Sequence, residues 1–244
     1  MIINVITSIP DILDAANHGI LGHAIKNKQI TLNIIPLRAF SDRADGRIDD
    51  RPYGGGAGMV IQPHVMSKAI ASIGKSHFIE LCPKGQRLNQ KLARSFAKKD
   101  NITLICGRYE GIDARIEPLI DQKVSIGDYV LSGGELPALI MIDAIGRLIP
   151  GVIKTESVEN DSFENGLLDH EHYTRPENWE ENKVPSVLLE GNHQKIEDYR
   201  LMQSLGKTWL NRPDLLLNRK LNERELALLV KFMQNHQRRG EDYD

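Results

Sequence analysis

Three glycine-bearing turns carry the groups in this sequence best suited to holding a ligand: CPKG at 82–85, CGRYEG at 106–111 and SIGDYVLSGG at 125–134. Each comes directly after a short apolar run that reads as a strand. Glycine lets backbone approach a bound molecule closely, and loops leaving the carboxyl ends of strands line the ligand crevice of an open α/β sheet. Any one of these glycines could simply close a turn. Three of them converging would build a pocket rich in exposed N–H and C=O groups, suited to an adenine or a methionine moiety.

A second stretch with chemical potential is RAFSDRADGRIDDRPYGGGAGM at 38–59, with four arginines and four aspartates ahead of a glycine run. As a plain surface loop its charges would cancel. Pro52 and Tyr53 at the entry to the glycines instead fit a loop that meets a flat base, with Arg and Tyr stacking or contacting phosphate. Other fingerprints fail. No G-x-G-x-x-G opens a helix after a strand, and Gly206-Lys207-Thr208 lacks the first glycine of a phosphate loop because Leu201 stands there. His170-Glu171-His172 has neither helical i, i+4 spacing nor nearby cysteines, which argues against structural zinc. No G-x-S-x-G elbow is present.

The elements that must position these loops alternate strand and helix. Ile2–Ile6, Leu32–Ile35, Phe78–Leu81, Ile102–Cys106 and Val124–Ile126 read as strands. Pro10-Asp11 and Pro63 each sit where a helix can open, and the second would bury Val65, Met66, Ala69, Ile70 and Ile73. Pro83-Lys84-Gly85 should turn the chain into a helix carrying Leu88, Leu92 and Phe96. The apolar run Leu136–Ile149 predicts a buried helix that stops at Pro150-Gly151. Strands separated by helices imply a parallel sheet covered on both faces.

Residues 152–190 are polar and aperiodic, long for a connection without a function. Helical patterns then return. Asn192 can cap a helix through Leu205, Asn222 with Glu225 resembles a capping box, and 237–244 reads as a frayed tail. The organisation expected is an α/β domain over 1–160, a linker over 161–175 and a helical domain over 176–244.

With 244 residues, 41% hydrophobic and 26% charged, the chain has ordinary globular composition. It shows no signal-peptide pattern and no apolar run of membrane-spanning length, and its two cysteines fit a reducing cytoplasm. The net charge of −2 neither favours nor excludes nucleic acid.

Over nearly its whole length the chain resembles the bacterial tRNA (guanine-N1)-methyltransferases of the TrmD type, in the SPOUT class. The matching segments are DDRPYGGGAGM (49–59), CGRYEGIDAR (106–115), SIGDYVLSGGELPALIMIDAIGRLIPGV (125–152), DSFENGLLD (161–169), HYTRP (172–176), VPSVLLEGNH (184–193) and RLMQSLGKTWLNRPDLL (200–216). The resemblance implies an α/β fold with a deep trefoil knot and a small C-terminal helical domain. It also implies an S-adenosylmethionine site in the knot, a homodimer, and a tRNA substrate gripped at the anticodon arm and methylated at the guanine just 3′ of the anticodon.

Carried over by motif, the cofactor pocket involves Leu81, Pro83, Tyr109, Glu110, Gly111, Ser125, Ile126, Gly127, Tyr129, Leu131, Gly133, Gly134 and Pro137. Asp169 matches the proposed general base, and Glu110 a carboxylate connected with magnesium dependence. Asp50, Arg51, Tyr53, Gly54, Gly55 and Arg175 fall in motifs that hold the RNA. Lys154 stands near an arginine assigned to stabilising guanine O6, without bidentate geometry. Arg175, Lys207, Arg212, Arg219 and Lys220 are candidate phosphate contacts. The chain departs from the family pattern at Asp45-Gly46, and again at His170-Glu171 just beyond the base.

Overall fold

Five strands form the central sheet: β1 (Ile2–Thr7), β2 (Thr31–Pro36), β5 (His77–Arg87), β6 (Asn101–Cys106) and β7 (Gln122–Ser125). The structure is a computed structural model that describes residues 1–154, 161–217 and 219–241. All pairings in this sheet are parallel, in the order β2-β1-β6-β5-β7. Parallel strands need crossovers, and helices supply them: α1 (Gly19–Lys26), α2 (Pro63–Ile73) and α3 (Gln90–Ala97). A two-stranded antiparallel ribbon, β3 (Asp49–Asp50) with β4 (Val60–Ile61), brackets the glycine run at 54–58. After β7 comes α4 (Glu135–Gly146).

The period of two along the strands divides the core between the sheet faces. Ile3, Val5, Ile102, Leu104 and Cys106 pack under α1, α3 and α4, against Leu21, Phe96, Met141, Ile142 and Ile145. Ile6 and Ile105 point the other way, against Val65, Met66, Ala69 and Ile70 of α2. Polar residues buried in the sheet are hydrogen-bonded. Asn4 Nδ2 donates to Asn101 Oδ1 at 2.8 Å, Asn33 Nδ2 donates to Asn4 Oδ1 at 2.9 Å, and the Ser76 and Thr103 hydroxyls meet at 2.7 Å. Buried polar groups left without partners would cost about 1–3 kcal/mol each.

Two local expectations need correction. Pro83-Lys84-Gly85 does not turn the chain into a helix: β5 continues to Arg87, and α3 starts at Gln90 behind an Asn89 cap that accepts from Leu92 N at 2.9 Å. Leu81 and Gln86 both oppose Val124, so 82–85 is a bulge thrown out of the strand. The first helical segment is also split, into a 3₁₀ stretch Pro10–Asn17 followed by α1.

The chain divides into two compact units, Met1–Thr155 and Glu156–Asp244. The second contains, among the described residues, a small hairpin, β8 (Asn178–Trp179) with β9 (Asn182–Lys183), and the helices α5 (His193–Asn211), α6 (Pro213–Leu217) and α7 (Glu223–Glu241). Leu167, Leu205 and Leu229 form its core. The segment at 161–169 is therefore packed into this unit through Leu167. The tail expected to fray from 237 is helical to Glu241; residues 242–244 lie outside the described residues. Among the described residues no helix is long and apolar enough to cross a membrane.

The amino end of α7 is closed by a reciprocal box. Asn222 N donates to Glu225 Oε2 and Glu225 N donates to Asn222 Oδ1, both at 2.9 Å. Burial works to raise the Glu225 pKa, but the Asn222 amide and the Arg219 guanidinium prevail and hold it below the usual 4.5. A carboxyl lowered on folding stabilises fully above its unfolded pKa, and that stability is lost as pH falls through the folded value. Glu225→Ala should lower stability by about 1–2 kcal/mol at neutral pH, with the loss shrinking in acid, in urea titrations across pH.

Candidate active site

The carboxyl ends of β5, β6 and β7 open into a cavity of about 440 Å³, within the range of small-molecule sites. Its walls are the β5 bulge (Leu81, Pro83), the loop after β6 (Tyr109, Glu110, Gly111) and the loop after β7 (Ser125, Ile126, Gly127, Tyr129, Leu131, Gly133, Gly134), with Pro137 of α4. All thirteen residues named for the cofactor pocket thus line one space. Cys82 and Ile112, inside quoted motifs but not named for the pocket, and Lys123, outside them, line it too.

The loop from 126 to 134 leaves edge strand β7 and returns to the end of β6. Gly134 N donates to Gly107 O at 2.9 Å, and Gly133 bridges to Arg108. The approach is so close that a Cβ on Gly134 would sit 2.6 Å from the Cys106 Cα. Gly127 turns the chain at φ +154°, and a Cβ there would fall 2.4 Å from the Tyr129 ring. Tyr109 sits at φ +58°, where a side chain costs about 1–2 kcal/mol. Strain of this kind persists where the surroundings fix the backbone, and functional sites collect it.

A buried ionic contact holds the return in place. Glu135, 1% exposed at the start of α4, receives Arg108 Nε at 3.2 Å on Oε2 and the Thr7 hydroxyl at 2.8 Å on Oε1. One carboxylate therefore ties together β1, the loop after β6 and the loop after β7. Sequence reading missed this trio. The only available sign was an acidic residue lodged between a glycine pair and an apolar helix.

The strand that follows the glycine run is bonded to the loop after β6. Glu110 N donates to Met59 O and Ile61 N donates to Gly111 O, each at 3.0 Å. Asp50 lies in β3, with Oδ1 accepting from Arg51 N at 2.8 Å. Arg51, Gly54 and Gly55 are exposed, and Tyr53 is 98% exposed; none of Asp50, Arg51, Tyr53, Gly54 and Gly55 lines the cavity. Lys154, exposed, ends the described part of the first unit.

Two thiols can be set aside as nucleophiles. Burial, with Glu135 adding its charge, pushes Cys106 well up, and burial with Glu80 raises Cys82, so both stay protonated at neutral pH. Asp113 is held down at about 2 by the Arg115 guanidinium and serves as a cap, accepting from Arg115 N at 2.9 Å.

Asp169 belongs to the second unit. Its Oδ1 accepts from His170 N at 2.7 Å and its Oδ2 meets His172 Nε2 at 2.8 Å. Its own N–H donates to Ser162 Oγ at 2.9 Å. Arg175 is exposed on the wall of a second cavity, of about 580 Å³. Of the candidate phosphate contacts, Lys207 pairs with Glu171, Arg212 is held by Asp214, and Arg219 reaches Glu225 at 2.6 Å and Asn165 O. Arg219 thus works inside the unit.

Fold and site together define an α/β protein with a parallel sheet and a backbone-lined pocket at its carboxyl edge. The sequence profile of the family described as tRNA (Guanine-1)-methyltransferase TrmD matches residues 1–218. A relative described as tRNA (guanine-N(1)-)-methyltransferase in Pseudoalteromonas translucida is 48% identical over 244 residues, covering 97% of this chain and 96% of that protein. Relatives with the same description in Thermosipho africanus and Vibrio campbellii are 45% and 43% identical, covering 96% and 97% of this chain and 97% and 99% of theirs. The chain belongs to the tRNA (guanine-N1)-methyltransferase family.

Removing one partner from a buried ion pair leaves an uncompensated charge, at about 3–5 kcal/mol. Glu135→Ala should therefore destabilise the first unit by that order, whereas Thr7→Val, which leaves the pair intact, should cost only about 1–2 kcal/mol. Equilibrium denaturation checks both, and equal costs would contradict the clamp described here.

Proposed function

We propose that the chain transfers the methyl group of S-adenosylmethionine to N1 of the guanine immediately 3′ of the tRNA anticodon, leaving 1-methylguanosine and S-adenosylhomocysteine. The carrying observation is the single cavity lined by all three glycine-bearing loops in a chain of this family. Its residues fit the donor. Leu81, Pro83, Ile126, Leu131 and Pro137 offer apolar surface to an adenine ring, while the close backbone at 107–111 and 125–134 offers N–H and C=O groups. When bound, the donor supplies a sulfonium methyl open to in-line attack. We read the return of 126–134 to β6 as the closing pass of the deep trefoil knot of the SPOUT class.

The acceptor nitrogen carries a proton at neutral pH and is a poor nucleophile until it is lost. Asp169 is assigned as the general base, and a base within hydrogen-bond reach contributes about 10²–10⁴-fold. Negative charge then grows on guanine O6, where a cation stabilises it; Lys154 is the candidate. Asp50, Arg51, Tyr53, Gly54, Gly55 and Arg175 are assigned to the RNA. Glu110 is an exposed carboxylate at the cavity, as is Glu117, and magnesium commonly uses one or two protein carboxylates while keeping waters. Glu110 fits as the residue that would hold the ion, whose contribution is positive charge beside the base being deprotonated.

A homodimer fits the surface of α4. The helix is apolar nearly all round, yet Leu136 and Ile140 are 50% and 45% exposed, a face suited to a second copy. We assign 1–160 to the methyl donor, 161–175 to the base-bearing linker, 176–244 to the anticodon arm, and the protein to the cytoplasm.

The reading is tested with labelled S-adenosylmethionine and two tRNA transcripts, one with G and one with A at the target position. Label should enter the first alone; label in both or neither overturns the assignment. Asp169→Asn should bind donor normally and lose turnover by about 10²-fold or more. Asp161→Asn belongs beside it, because DSFENGLLD offers two aspartates, Asp161 and Asp169, and both oxygens of Asp169 already have partners. Activity kept in Asp169→Asn and lost in Asp161→Asn would transfer the role.

A further inference from the structure

The departure at His170 has a chemical consequence. Among the described residues, Asp169, His170 and His172 are the group of three or more metal-ligating side chains that converge, each offering an atom within 4.8 Å of the others. Asp169 Oδ2 and His172 Nε2 are 2.8 Å apart, Asp169 Oδ1 and His170 Nδ1 are 3.9 Å apart, and the two imidazole centroids lie 4.4 Å apart. We propose that these three residues form a binding site for a borderline divalent transition ion, with zinc as the reference case.

The donor set selects the ion. Two imidazole nitrogens and one carboxylate suit zinc, cobalt, nickel or ferrous iron, whereas magnesium and calcium want a shell of oxygens. Zinc binds nitrogen and oxygen at about 2.0–2.2 Å, which sets tetrahedral ligands about 3.4 Å apart. The separations here bracket that value, one to each carboxylate oxygen, so ligation needs His172 to rotate and His170 Nδ1 to leave the Glu171 carbonyl, 3.2 Å away. The absence of i, i+4 spacing and cysteines argues against a closed structural site. It says nothing against a three-ligand site completed by solvent.

Two further features favour a built site. The segment is pinned before its first ligand: Leu167 is buried in the unit's core, Leu168 N donates to the buried Thr208 hydroxyl at 2.8 Å, and Asp169 N to Ser162 Oγ at 2.9 Å. His170 and His172 also line the second cavity, which leaves room for water or an exogenous ligand at an open coordination position. Charge nearby is mixed, with Arg175 and Arg200 on the same wall offset by Glu171 and Glu177, and Lys207 neutralised by Glu171. An ion here would occupy the Asp169 carboxylate. On the reading of Asp169 as the general base, zinc is then an inhibitor of methyl transfer, distinct from any requirement for magnesium.

The test uses the metal-stripped full chain. Cobalt titration should give visible d–d bands of a low-coordinate ion that saturate at one ion per chain, and zinc should displace it. His170→Ala and His172→Ala should each weaken binding on the order of tenfold or more, with circular dichroism unchanged. His193→Ala, outside the trio, should bind as the parent does. Stoichiometric binding that survives the His170/His172 double substitution, or no binding at micromolar metal, overturns the site. This measurement uses neither RNA nor methyl donor, so its failure leaves the transferase reading untouched. Failure of methyl transfer likewise leaves the metal site standing. Zinc inhibition relative to each protein's zinc-free rate, lost in His170→Ala, ties the site to Asp169.

Discussion

The pocket depends on one return of the chain. β7 lies at the outer edge of the sheet, beyond β5, yet the helix that follows packs over β1 and β6. Residues 126–134 must therefore travel back across the carboxyl edge, and they can close on β6 only where no side chain intervenes. Gly134 meets that condition, and Glu135 then fixes the join with Arg108 and Thr7. The acidic residue is also well placed electrostatically, because the first turn of a helix favours negative charge. A buried ion pair gives little net stability over a well-packed apolar contact. Its value here is geometric, since one carboxylate sets two of the three pocket loops relative to the sheet. The third loop is set by the β5 bulge, whose two flanks both pair with Val124.

Much of this was legible in the sequence, for identifiable reasons. Strands announce themselves by β-branched runs, and Pro63, Asn192 and Asn222 mark helix starts because their chemistry is local. The glycine loops were legible for the same reason. The order β2-β1-β6-β5-β7 was not, because periodicity records which face is buried and not which strand is next. Nor was the Thr7–Glu135 contact, which joins residues 128 positions apart. Pro83-Lys84-Gly85 misled because a Pro-Gly pair normally ends a strand. Here the pairing resumes at Gln86, so the residues that look like a terminator are instead extruded into the cavity wall.

Charged residues in the second unit were the hardest to read. Arg219 looks like one more surface cation, yet it braces Glu225 and the carbonyl of Asn165, joining the start of α7 to the 161–169 segment. Phe163 N donates to Leu167 O at 2.7 Å, Leu167 is buried, and the Arg212 guanidinium lies 5.7 Å from the Phe163 ring. A stretch that reads as polar linker is in effect a platform. Asp169 is its last residue, oriented by bonds on both carboxylate oxygens.

The chemistry that the family carries out asks little of the protein in covalent terms. Methyl transfer needs no enzyme nucleophile, and neither thiol is in a state to serve as one. What remains is alignment of donor and acceptor, removal of one proton and compensation of the charge left behind. The backbone-lined cavity at the carboxyl edge of the sheet and the Asp169 carboxylate, bonded on both oxygens, belong to different units. Each unit has its own core, so each can hold its part without the other's packing.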